Sequence, residues 1–144
     1  MTRSIRAFGL AALALLHLVA LLALAAPTGA ADIDWDPYAE VRVAEVLSSN
    51  EDGSTRTTKV WLAVVDGQGY IRTGHTGWGA NVTRNPDIVL RIEDAELPLR
   101  VHFVEDPALR ERVVQTFREK HGFKDAMIAL IRGSHPKIMR LDSR

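Results

Sequence analysis

The residues best suited to chemistry lie in one short run, Tyr70-Ile71-Arg72-Thr73-Gly74-His75-Thr76-Gly77-Trp78-Gly79-Ala80-Asn81. It reads as a strand that passes through a glycine-rich loop into a helix start near Thr76. Backbone N–H groups at such a junction are free to bind an anion, and the helix dipole favours negative charge there. Arg72 offers a planar donor fork to a phosphate and His75 a second donor, while the glycines let the backbone approach a ligand closely. The same glycines would equally serve a tight turn, with Arg72 solvated on an edge. Trp61 and Trp78 are the candidates for stacking on a flat ring. Trp61 has apolar strand neighbours and reads as core, so Trp78, in its polar loop, is the stronger of the two.

Conventional catalysis leaves no comparable signal. His75, His102, His121 and His135 show no paired spacing for a metal, and no serine lies in a Gly-x-Ser-x-Gly context. The chain has no cysteine, hence no disulfide framework, thiolate zinc site or cysteine nucleophile. The carboxylates are scattered in the pattern of a solvated surface. Asn81-Val82-Thr83 matches a glycosylation acceptor, meaningful only in a eukaryotic secretory pathway, and chance is the simpler explanation.

The elements that must position these residues occupy one domain. The 144 residues are 47% hydrophobic and 25% charged, with zero formal net charge. Met1 to Arg6 is short and basic, Ala7 to Ala26 is apolar, and Pro27-Thr28-Gly29-Ala30-Ala31 adds a breaker and small residues, the pattern of a secretory signal. Cleavage after Ala30 or Ala31 fits. The apolar run is also long enough to span a bilayer, so an uncleaved anchor is the rival. Arg3 and Arg6 are not adjacent, so the paired-arginine export signature is absent and a secreted chain would meet any cofactor outside the cell. Removing both arginines leaves the remainder mildly acidic, which argues against a nucleic-acid partner. The expected organisation is residues 1–31 signal or anchor, 32–40 polar lead-in and 41–144 folded domain.

Within that domain, Val41–Leu47 suits a first strand, Ser48–Thr58 a polar loop, and Lys59–Val65 a strand rich in β-branched residues. Asp66-Gly67-Gln68-Gly69 turns it into a hairpin with Tyr70–Thr73. A short helix begins near Thr76 and ends before Asn85-Pro86. Ile88–Ile92 and the alternation Leu97, Leu99, Val101, Phe103 predict two more strands, with Pro98 at an edge or a bulge. Asp106-Pro107 starts a helix on which Leu109, Val113 and Phe117 share a face, and Gly122 ends it. Phe123–Ile131 suits a further helix and Ile138–Leu141 a closing strand. A sheet of this size is expected to curl and close around one core.

From Thr57 to about Leu141 the chain resembles the split-barrel superfamily of pyridoxamine 5′-phosphate oxidases and deazaflavin-dependent reductases. The resemblance rests on the hairpin ending in Tyr70-Ile71-Arg72-Thr73, the glycine-rich loop, and Asn85-Pro86 followed by Asp87-Ile88-Val89-Leu90. It implies an α+β, mainly β fold: a split β-barrel of about six strands with one long and one or two short helices. It further implies a homodimer with FMN or a deazaflavin in the groove between subunits. Carried over by position, the cofactor residues are Lys59, Arg72, Thr73, His75, Thr76 and Asn81, and Trp61, Gly74 and Trp78 complete the candidate set. The oxidase branch grips phosphate with a basic pair where this chain has Gly77-Trp78. The implied function is an exported flavin- or deazaflavin-binding oxidoreductase. The alternatives are a non-catalytic module that binds a small ligand or haem on the same barrel, and a purely structural envelope domain.

Overall fold

Alternating apolar residues and tight turns build a strand-rich chain. The computed structural model describes residues 31–74, 76–122 and 136–144. The apolar run at 7–26, His75 and the helix expected over Phe123–Ile131 lie outside the described residues. A short 3-10 turn, Asp36–Tyr38, precedes β1 (Val43–Ser49), β2 (Thr55–Val65) and β3 (Gln68–Thr73). Then come α1 (Gly77–Arg84), β4 (Asp87–Ile92), β5 (Ala95–Phe103), α2 (Pro107–His121) and β6 (Lys137–Ser143). The strands close into an antiparallel barrel in the order β1-β2-β3-β6-β5-β4, with β4 returning to β1.

The β2–β3 hairpin shows local chemistry setting register. Val65 pairs with Gln68, leaving Asp66 and Gly67 as a two-residue loop with φ of 52° and 70°. Two positive φ values give the primed turn whose twist matches the strands, and glycine adopts the second without a Cβ clash. Pro98 lies opposite Val89 in an unbroken register, so no bulge forms. It sits one residue beyond the part of β5 that β6 covers, where β5 is an edge on that side.

Two cores result. Inside the barrel, Val46, Leu62, Ile71, Leu90, Ile92, Leu99, Met139 and Leu141 are fully buried and meet one another. Its ends are filled by two tryptophans. Trp35, from the segment expected to be a polar lead-in, is 2% exposed and lies against Gly69, where any Cβ would fall 2.6 Å from the indole. Trp78 of α1 is also buried within this core. Outside the barrel, α2 lays Val113 and Phe117 onto Ala63, Tyr70 and Ile138.

α2 is bounded as the sequence predicts. Asp106 accepts a hydrogen bond from the Leu109 N–H at 2.9 Å, and the Gly122 N–H donates to the Arg118 carbonyl at 2.7 Å. Its far end is fastened to the chain before β1. Lys120 Nζ donates to the carbonyls of Ala39 (2.7 Å) and Val41 (2.5 Å), and Arg42 donates to the Lys120 carbonyl. This fastening positions His121 and Phe117 beside the site described next.

Candidate functional site

The site begins where two strands part. Among the described residues, β3 pairs with β2 from Gln68 to Ile71, after which Arg72 and Thr73 pair with β6 alone. The amino half of β2, Thr55 to Lys59, is paired only with β1 among the described residues. The point where the β2–β3 pairing ends lies between the amino half of β2 and the end of β3 that leads into α1.

On the outer face, strand alternation puts Lys59 and Trp61 of β2 on the same side as Arg72 of β3. Continuing the β2–β3 register would set Arg72 opposite Trp61. The Arg72 guanidinium carbon lies 5.3 Å from the Trp61 ring centroid and 4.8 Å from that of Phe117, so two aromatic faces seat the cation. Trp61 is half-buried, and its other neighbour is His121, stacked at 4.2 Å with 6° between the ring planes. His121 is buried with its Nε2 unpartnered among the described residues. Burial, reinforced by the charges of Arg42, Lys120 and Arg72, pushes its pKa down to about 4, against a backbone hydrogen bond with Leu62 that raises it. Lys59 is exposed on this face.

On the rim, Thr73, Thr76 and Asn81 serve the fold. The hydroxyls of Thr73 and Thr76 are 2.8 Å apart, and Thr76 caps α1 by accepting from the Gly79 N–H at 3.2 Å. Gly79 is required by close approach, since a Cβ there would fall 2.9 Å from Thr73 Oγ1 and 3.1 Å from the Gly74 carbonyl. Gly74 is partly buried, and a Cβ on it would meet open space. The Asn81 amide donates to Ser48 Oγ (3.2 Å) and Asn50 Oδ1 (2.8 Å), which ties α1 to the β1–β2 turn. Asn81 is 6% exposed, so the folded chain does not present it for glycosylation.

Three expectations are corrected by this geometry. The tryptophans exchange roles: Trp78 is 6% exposed among apolar neighbours, whereas Trp61 is half-buried beside a cation and an imidazole. The polar loop of Trp78 is short, and helix α1 turns the indole into the barrel. The residues expected to act together fall into two groups, Lys59, Trp61 and Arg72 outside and Thr73, Thr76, Trp78 and Asn81 at the rim. Finally, β2 starts at Thr55, four residues before the expected strand, because threonine pairs as readily with β1 as it fills a loop. That extension reveals Arg56, a residue the sequence did not single out. Its guanidinium atoms lie about 3.4 Å from where a Gly77 Cβ would stand, at the start of α1. A basic group therefore stands beside Gly77-Trp78, the pair that lacks one.

The closed six-strand barrel, its split and its two described helices define the class: an α+β split barrel of the pyridoxamine 5′-phosphate oxidase-like fold. HutZ, the haem storage protein of Vibrio cholerae, is similar with a TM-score of 0.60 and 14% identity over 78% of this chain and 92% of that one. An F420-H2-dependent reductase, FDR-A, gives 0.56 and 16% over 69% and 94%. A pyridoxamine 5′-phosphate oxidase homologue from Listeria innocua gives 0.53 and 16% over 72% and 85%. The sequence matches no protein-family model and no curated protein.

Proposed function

We propose that this protein binds a phosphorylated, flat-ringed cofactor, FMN or a deazaflavin, at the split between β2 and β3, and works as an exported oxidoreductase. The observation that carries the reading is the seating of Arg72 over Trp61, with Lys59 on the same face of the parting strands. Trp61, half-buried between Arg72 and His121, adds aromatic surface to this side of β2, and Arg72, Lys59 and Arg56 offer charge to a phosphate. The bound cofactor would supply the hydride chemistry, and the protein would supply position and electrostatics. Val43, 47% exposed, is the cross-strand partner of Trp61, and a second copy covering it would close the groove in a homodimer.

Flavin is preferred to haem because the site sets an aromatic ring beside basic side chains, the features that suit a phosphorylated flat ring. Export rests on the amino-terminal pattern; among the described residues no helix is long and apolar enough to cross a membrane.

The test is an absorbance spectrum of the full protein from its own host, with melting measured against FMN, a deazaflavin and haem. A cofactor at a hundred times its Kd stabilises by about 2.7 kcal/mol, a clear shift for a domain this small. Colourless protein whose melting responds to neither FMN nor deazaflavin sinks the proposal, and a response to haem alone selects the other reading. Fractionation of the host tests export.

A further inference from the structure

His121 closes α2 at 7% exposure, with no described partner for Nε2. Its ring lies flat against Trp61, 4.2 Å away, and 5.9 Å from Phe117. These are the two rings over which Arg72 sits. Among the described residues, the charged groups acting on the imidazole are all cations: Arg42 from the segment before β1, Lys120 from its own helix and Arg72 from β3. β2 adds only the Trp61 ring and the Leu62 backbone. A proton on His121 would add positive charge beside these described cations and push against Arg72.

We infer that His121 is a positioning residue for the ligand: its uncharged ring props Trp61 and Phe117 so that Arg72 stays seated to meet an anionic group. This rests on the flat-ring reading of the site. A phenylalanine fills the same role without being able to charge, whereas a lysine, with an ordinary pKa of about 10.4, brings a charge to this position over the pH 7 to 4 range tested. Burial and the surrounding cations keep the ring neutral down to about pH 4.

The experiment measures binding of FMN and of a deazaflavin to the full chain from pH 7 to pH 4. Wild type and His121→Phe should bind alike at pH 7, and His121→Lys should bind about tenfold more weakly or worse, the scale of one lost cation–π contact. Toward pH 4 the wild type should weaken relative to His121→Phe. Circular dichroism reports whether each variant folds, and if His121→Lys does not, the pH series of the other two decides. Parallel pH profiles for wild type and His121→Phe, or a large loss in His121→Phe at pH 7, overturn the inference. Absence of binding by the wild type overturns the flat-ring reading, and the inference falls with it.

Discussion

Trp78 belongs to the core inside the barrel and Trp61 packs against the core outside it, and their surroundings differ in kind. Trp78 points inward among Val46, Leu90 and other apolar side chains, where it can only fill space. Trp61 points outward between an arginine and a neutral histidine, with part of its ring open to solvent. The first arrangement closes the barrel. The second sets an aromatic ring among charged and titratable groups on the outer side of the strand. The identity of the residue says little; the charge and accessibility of its neighbours decide.

The comparison can be broken most sharply by truncation. Trp78→Ala should lower the unfolding free energy by about 3–5 kcal/mol in urea titrations, the cost of a large buried aromatic. Trp61→Ala should cost about half that, yet abolish any cofactor-induced rise in melting temperature. Equal losses of stability with cofactor response retained would erase the distinction.

Acidity should probe the outer region alone. Between pH 6.5 and about 4 the unfolded chain takes up a proton at His121 that the folded chain refuses. The stability tied to this group is therefore intact above pH 6.5 and lost by about pH 4, on the order of 3 kcal/mol. His121→Phe should flatten that part of the stability–pH profile, and an unchanged slope would show that the histidine is not held neutral.

Smaller effects refine each side. Gly79→Ala forces a methyl against Thr73 and should cost about 1–3 kcal/mol, while Gly77→Ala, whose nearest described neighbour is the flexible end of Arg56, should change melting little. Asp106→Ala removes the cap of α2 and should cost about 1 kcal/mol. It should loosen the seat of Arg72 without disturbing Trp78, as amide exchange in α1 would report.

Local chemistry was legible wherever one residue type has one use. Asp106-Pro107 and Gly122 bound α2, Asp66-Gly67 sets the hairpin, and Asn85-Pro86 follows α1. Facing was harder to read. Lys59-Val60-Trp61-Leu62-Ala63 is apolar on both sides because β2 serves the barrel interior and the α2 interface together, so alternation could not say which way Trp61 turns. Arg56 looked like loop because its threonine neighbours have no apolar face, and only pairing with β1 made them strand. The link between Arg72 and His121 spans 49 positions and has no trace in spacing.

Trp35 carries a final consequence for where this domain can be cut. Its indole occupies the hollow over Gly69, and Lys120 and Arg42 bind the stretch that follows it to the end of α2. A shortened chain starting at Val41 would lose Trp35 from its core and one of the clasp's three hydrogen bonds. The smallest self-sufficient unit therefore includes Trp35, and proteolysis downstream of it should leave a leaky, weakened shell.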